Sequence, residues 1–340
     1  MKKIALTIIV ILFVLLFGFL VWLVMPAGKD RVGDIIPAKS FAVLSLELDL
    51  YDKGIRGILK PLKNKAISSV KKPFGKFLIW SNTWKFFLPT DITVVFIPDE
   101  QREGNKFNWI LYSSGNRIGK ILKCPIARER FDNLLAKGKP FQTISYKGVN
   151  VTKINDKHDE EKSYYYTFLK NWLIVSNEVY LLEESVERYA GHQNKETLKV
   201  HDGFRDFMNK KRDGELSLFF QNGSSHEVSD FISNLEEKFS YSIFPNVNSM
   251  DWIGLHMDIV DRDSADAVFL FKFSVDVETG DKIENDVYFI SETLRRIGRA
   301  NGLDGRYTIG EEGDFISANW KVKGIKECLR TILSKEVGNK

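Results

Sequence analysis

The stretch SSGNRIGKIL, residues 113–122, is the part of this sequence that most resembles a phosphate-binding loop. A P-loop has the pattern G-x-x-x-x-G-K-[ST], in which backbone amides cradle the phosphates and the hydroxyl holds magnesium. Here Gly115 and Gly119 are one residue too close, and Ile121 stands where the hydroxyl is needed. The stretch therefore lacks both the glycine spacing that forms the phosphate cradle and the hydroxyl that binds magnesium. The sequence predicts an ordinary glycine-bearing loop.

Acidic residues and histidines offer no stronger candidate for chemistry. The stretch DIVDRDSAD, residues 258–266, lacks the glycine and the closing glutamate of an EF-hand in register, so we expect a charged hairpin tip. No two histidines have the H-E-x-x-H spacing. Ser224, Ser225 and His226, with Asp230 four residues on, lack the G-x-S-x-G elbow of a hydrolase and fit a strand end and helix cap better. We therefore predict no catalytic motif, no metal and no cofactor.

The one suggestive composition lies between residues 53 and 87. Eight basic residues and no acidic residue occur from 53 to 76, and an aromatic run on one helical face follows. A basic amphipathic surface beside aromatic side chains can lie on anionic lipid. The candidate residues for contact with lipid or a hydrophobic ligand are Lys60, Lys63, Lys71, Lys72, Trp80 and Trp84. The alternative, which we prefer, is a solvated lysine face with the aromatic side chains in the core.

Residues 4–25 form an uncharged apolar run that follows Lys2 and Lys3. A helix of this length spans about 33 Å, which matches the hydrocarbon thickness of a bilayer. The sequence therefore predicts a single-pass signal-anchor in residues 1–25, a tether in 26–39, and an inner or plasma membrane protein whose bulk lies outside the cytoplasm. A cleaved signal peptide is the alternative, although its apolar region is usually about 7–15 residues long.

Composition sets further limits on the function. The 340-residue chain has a net charge of +4, too balanced to indicate nucleic-acid binding. Its two cysteines, Cys124 and Cys328, are far apart in sequence and could pair or remain free and buried. Two cysteines do not make a disulfide framework, so the stability must come from a hydrophobic core.

Alternating hydropathy and turn signals predict the elements of the remaining chain. Helices are expected at 51–65, 126–135, 178–189, 228–239, 286–299 and 325–333. Strands are expected at 41–50, 91–98, 107–114, within 141–154, at 164–169, 172–176, 214–223, 252–260 and 267–277, around Tyr307, and at 315–322.

The order of these elements indicates an internal repeat. VLSLEL at 43–48 aligns with ELSLFF at 215–220, and each stretch is followed by a predicted helix and hairpin. We therefore expect an α+β fold of two similar units, residues 40–200 and 212–335, each an antiparallel sheet with helices packed on one face.

Three stretches carry a resemblance to a known group: VGDIIPAKSFAVLSLELDL, ISYKGVNVTKI, and FLKNWLIVSNEVYLLEESVERY followed by LKVHDGFRDFMNK. Over residues 30–220 the chain resembles membrane-anchored bacterial proteins that contain a domain of unknown function. The resemblance implies an envelope location and an α+β repeat fold, and it implies no activity. We predict a binding or scaffold protein of the bacterial envelope whose partner is an envelope protein or anionic lipid. The alternative is a hydrolase with a site assembled from residues distant in sequence.

Overall fold

A computed structural model describes residues 35–47, 52, 55, 90–99, 107–114, 125–136, 141–155, 163–169, 172–190, 196–210, 214–221, 250–273, 280–312 and 315–328. The strands are β1 Ala42–Glu47, β2 Asp91–Pro98, β3 Phe107–Ser114, β4 Phe141–Tyr146, β5 Val149–Asn155, β6 Ser163–Leu169, β7 Trp172–Ser176, β8 Leu216–Gln221, β9 Met250–Ile259, β10 Ser264–Phe273, β11 Asp304–Glu312 and β12 Phe315–Lys323. The helices are α1 Pro125–Ala136, α2 Val179–Tyr189, α3 Asp202–Lys210 and α4 Gly280–Ala300, with a 3-10 turn at Leu198–Val200.

All twelve strands join one antiparallel sheet, in the order β11-β12-β10-β9-β8-β1-β2-β3-β7-β6-β5-β4. The alternation of side chains produces these strands: in β2, Thr93, Val95 and Ile97 are buried while their neighbours are half-buried. β-branched residues fit such a pleated surface well. The predicted hairpins β2–β3, β4–β5, β6–β7 and β9–β10 are confirmed as antiparallel pairs.

The two halves of the sheet meet at β1 and β8. These strands pair antiparallel, with Ser45 directly opposite Ser217. The serines are the same position in the two aligned stretches of sequence, so the similar segments meet around a local twofold centre. Outward from this centre the strand order is β1-β2-β3-β7-β6 on one side and β8-β9-β10-β12-β11 on the other. Equivalent strands thus occupy equivalent positions. The division at residues 40–200 and 212–335 itself stays a prediction.

Helices cover both faces of the sheet. On one face, α2 and α3 pack over a core that includes Trp172, Leu182 and Phe207. We call this the α2–α3 face. On the other face, α4 packs through Val287 and Ile290 against a second cluster, and α1 lies against Tyr166 and Phe168 through the ring of Phe131. A sheet with two apolar faces needs cover on both, which explains the arrangement.

The predicted fold class is therefore wrong. In the described residues, one continuous sheet replaces the two units with helices on one face, and strands dominate over helices. The reason is that β1 and β8 pair across the predicted boundary, which lets the core continue from one half to the other.

The predicted single-pass membrane protein, with its location at the inner or plasma membrane, is also corrected. No helix in the described residues is long and apolar enough to cross a bilayer. The longest, α4, has 21 residues and carries charged side chains along its length. Residues 4–25, on which the prediction rested, lie outside the described residues.

Candidate functional site at the free edge of the sheet

The residues predicted to contact lipid or a hydrophobic ligand all lie outside the described part of the chain. They are Lys60, Lys63, Lys71, Lys72, Trp80 and Trp84. Their role stays a prediction. Residues 115–122, with the glycine-bearing loop, and the Ser225–His226 pair also lie outside the described residues.

The acidic stretch 258–266 forms the expected hairpin tip between β9 and β10. Asp261 Oδ1 accepts the backbone N–H groups of Asp263 at 2.7 Å and Ser264 at 2.9 Å. These hydrogen bonds hold the pKa of Asp261 below its ordinary value. The aspartate therefore closes a turn, and no group of His, Cys, Asp and Glu side chains in the described residues could hold a metal ion.

The two edges of the sheet, β4 and β11, differ in their protection. An open edge presents unpaired backbone groups that can pair with another chain, and proteins usually block it with charges. Edge strand β11 has four charged residues: Asp304, Arg306, Glu311 and Glu312. Edge strand β4, with the sequence FQTISY, has none. Its first five residues are exposed, with Phe141 at 37% and Ile144 at 40%. No strand among the described residues pairs with the far side of β4, and this edge, which we call the open edge of β4, is the candidate functional site.

The turn after β4 determines which backbone groups face this open edge. Lys147 and Gly148 have φ values of 47° and 78°, which is typical of a two-residue type I′ hairpin turn. In such a hairpin the flanking residues, Tyr146 and Val149, form a hydrogen-bonded pair, and the pairs then alternate along the strands. Phe141, Thr143 and Ser145 therefore direct their N–H and C=O groups away from β5.

A side-chain contact agrees with this assignment. Thr143 lies opposite Thr152, and their hydroxyl oxygens are 3.3 Å apart. Side chains approach most closely at the pairs that share no backbone hydrogen bond. The N–H and C=O groups of Thr143 therefore point away from β5.

Helix α2 holds the tip of the β4–β5 hairpin. Tyr146 donates its hydroxyl to Glu187 Oε1 at 2.6 Å, and Lys147 Nζ donates to the same oxygen at 2.7 Å. The hydrogen bond to Glu187, with a smaller contribution from desolvation, raises the pKa of Tyr146 to about 12. Because α2 is anchored in the core by Leu181 and Leu182, the tip of the hairpin is fixed to the body of the protein.

A buried polar network supports β5 from the opposite face. Arg128 Nε donates to Asp132 Oδ1 at 3.0 Å, and its Nη2 donates to Thr152 Oγ1 at 3.3 Å. Tyr166 donates its hydroxyl to the same Asp132 oxygen. Burial, followed by this hydrogen bond, raises the pKa of Tyr166. The network ties α1 to β5 and β6, so the strand beside the open edge is held on both faces of the sheet.

Sequence reasoning placed the β4–β5 hairpin correctly but did not identify it as a site. The available signal was a strand without charges among lysines at 137, 139 and 147. This sequence pattern does not show whether the strand lies at an edge or in the middle of a sheet.

Comparisons with protein-family models, curated proteins and solved structures gave no significant match. The resemblance to membrane-anchored bacterial proteins stays a prediction.

Proposed function

We propose that this protein is a non-enzymatic binding module that receives an extended segment of a partner protein as an additional strand beside β4. The observation that carries the proposal is the exposed, uncharged edge of β4. Strand addition of this kind obtains affinity from main-chain hydrogen bonds and specificity from alternate side chains.

The geometry at β4 sets the size of the interaction. Phe141, Thr143 and Ser145 each present one donor and one acceptor, so an antiparallel partner strand could form six backbone hydrogen bonds. At roughly 0.5–1.5 kcal/mol each, these contribute roughly 3–9 kcal/mol before the cost of association. The side chains of Phe141 and Ile144 add exposed apolar surface on opposite faces. We expect a dissociation constant in the micromolar range.

Charge around the strand favours a partner with acidic ends. Lys137 and Lys139 precede β4 in the sequence, and Lys147, which forms an ion pair with Glu187, follows it. Two copies of the chain paired antiparallel around Thr143 would bring Lys147 of each copy toward the lysine-bearing end of the other. Like charges at that distance repel each other, so a segment with a β-branched centre and acidic flanks fits better than a second copy.

In the part of the chain that the structure describes, no specific observation favours the hydrolase alternative. Asp132 is a buried acid on α1, and its carboxylate already accepts hydrogen bonds from Arg128 and Tyr166. This arrangement is that of a structural network.

The proposal can be tested with the full-length chain and a fluorescein-labelled peptide, EETVTVTVEE, by fluorescence anisotropy. Thr143→Pro removes the outward N–H group without removing a hydrogen bond to β5, and proline is tolerated at a sheet edge. We expect Thr143→Pro to weaken binding at least tenfold. Thr143→Ala is the matched control, because it removes the hydroxyl and keeps the N–H group, and it should bind within about twofold of the wild type.

Two further measurements distinguish an acidic partner segment from a basic segment and from a second copy of the chain. The peptide KKTVTVTVKK should bind more weakly than EETVTVTVEE, and the difference should shrink as salt is added. Sedimentation of the chain without peptide tests whether a second copy of the chain pairs with the edge of β4. A dimer that Thr143→Pro abolishes would assign the edge to self-association and overturn the proposal. Equal peptide binding by wild type and Thr143→Pro would overturn it as well.

A further inference from the structure

A cleft of about 320 Å³ lies at the other end of the sheet, over the last three strands. It is on the α2–α3 face, beyond the point where Leu270 and Phe315 end the core. The backbone of β10, β12 and β11 forms its floor. Six side chains of these strands surround it: Asp266, Val268, Asn319, Lys321, Arg306 and Thr308.

The strand register places two cations side by side in this cleft. Lys321 on β12 lies directly opposite Arg306 on β11 and, on its other side, opposite Asp266 on β10. Like charges directly opposite each other destabilise a sheet. Neither Arg306 nor Lys321 forms an ion pair in the described part of the chain. The described part of the chain therefore holds an unfavourable pair of neighbouring cations without an acidic partner in ion-pair contact.

The nearest acid on β11 does not relieve this repulsion. Asp304 lies two residues before Arg306 on the same strand, and its carboxylate is 3.5 Å from Arg299 Nη2 on α4. Among the described residues of the cleft, Asp266 is the acid that faces the two cations, so the six side chains of the cleft carry a net charge of +1.

Hydrogen-bonding groups lie in the next row across the strands. Thr308 lies opposite Asn319. The side-chain amide of Asn319 donates to Ser317 Oγ at 3.5 Å, and Ser317 Oγ donates to the carbonyl of Gly310 at 3.2 Å. This chain of contacts orients Asn319, whose side-chain oxygen and the Thr308 hydroxyl can then serve a ligand.

The floor of the cleft is held from the opposite face. The rings of Tyr307 and Trp320 stack there with centroids 5.0 Å apart, and α4 packs against the same cluster. Gly305 leaves room for this stack, because a Cβ atom at that position would lie 3.0 Å from Trp320 Cε3. The strands that carry the cations are therefore fixed, which reduces the entropy cost of binding.

We propose that this cleft binds a small molecule with one carboxylate or phosphate group and at least one hydroxyl or amino group. Arg306 and Lys321 hold the anionic group, since charge-assisted hydrogen bonds are stronger than neutral ones. Asp266 and Asn319 accept hydrogen bonds from the hydroxyl or amino groups. The volume fits a molecule the size of a monosaccharide derivative, at the lower end of the usual range of about 300–1,000 Å³ for ligand sites.

Titration calorimetry of the full-length chain with glucuronate, glucose 6-phosphate, inorganic phosphate and glucose tests the proposal. We expect both charged sugars to bind at least tenfold more tightly than glucose. The stronger of the two identifies the preferred anionic group, and a preference for either supports the site. Arg306→Gln and Lys321→Gln should each weaken binding of the charged sugars at least tenfold. Lys323→Gln is the matched control on the same strand and face, and it should change binding less than twofold.

Asp266→Asn separates recognition of the sugar from attraction of an anion. This change removes the acceptor charge, so the charged sugars should bind more weakly while inorganic phosphate, freed from repulsion by the carboxylate, should bind more tightly. The proposal is overturned if neither charged sugar binds at about 10 mM. It is also overturned if Lys323→Gln matches Arg306→Gln, which would indicate general surface charge, or if Asp266→Asn leaves the sugars and phosphate unchanged.

Discussion

Replacing Gly254 with alanine tests the contact between α3 and the sheet directly. Gly254 is buried on β9, and a Cβ atom there would lie 2.5 Å from Phe207 Cε2 and 3.3 Å from Trp252 Cζ3. Ordinary contacts begin near 3.4 Å, so the ring of Phe207 would have to move by about 1 Å. It has little room to do so, because Phe207 is 2% exposed, stacks on His256 with centroids 4.4 Å apart and lies 5.3 Å from the ring of Phe219.

We expect Gly254→Ala to lower the free energy of unfolding by about 3 kcal/mol, the upper part of the range for overpacked cores. At an unfolding entropy of about 2.1 cal/mol/K per residue, that corresponds to a melting temperature lower by roughly 4–5 °C. Urea unfolding followed by circular dichroism would measure the change in the midpoint at constant slope.

Gly310→Ala provides the control for a glycine-to-alanine change in a strand. A Cβ atom at Gly310 would meet only Ser317 Oγ, at 3.7 Å. Its free energy of unfolding should change by less than about 0.5 kcal/mol or increase, since alanine has less freedom in the unfolded chain. Phe207→Leu combined with Gly254→Ala should recover part of the loss. Equal stabilities of Gly254→Ala and Gly310→Ala would refute the packing of α3 on β9.

Two further predictions concern buried polar groups. Burial raises the pKa of Tyr112 from 10.0 to about 12, so its stabilising contribution is present below pH 10 and lost as the pH rises through 12. Between these pH values, wild type should lose about 2–3 kcal/mol more than Tyr112→Phe in urea unfolding, and parallel curves would contradict the burial. Asp132→Asn should cost about 1–3 kcal/mol because it weakens the network with Arg128 and Tyr166. Asp202→Asn, which breaks an exposed pair, should cost less than about 0.5 kcal/mol, and equal losses would mean that the Asp132 network contributes nothing.

The local elements of this protein follow from its sequence because they depend on short-range patterns. The alternation in DITVVFIP and the Lys147-Gly148 turn gave β2 and the β4–β5 hairpin, and the helical spacing of Leu182 and Val186 gave α2 with its apolar side inward. Periodicity and turn chemistry are properties of neighbouring residues, so one sequence is enough to locate them.

The candidate site depends on which strands have a neighbour. The sequence FQTISY indicates a strand, but it does not say that β5 lies on one side of it and no described strand on the other. The cation pair in the cleft could not be predicted from the sequence either. Arg306 and Lys321 are 15 positions apart and become neighbours only through the register of β11 and β12.

The sequence by itself determined the strands, the turns, the apolar side of α2 and the similarity between the segments that became β1 and β8. Only the tertiary structure decided that Ser45 and Ser217 face each other, that one sheet replaces two, and that helices cover both of its faces. Strand pairing between distant segments depends on matching whole surfaces and on closing long loops. Local periodicity gives no information about either.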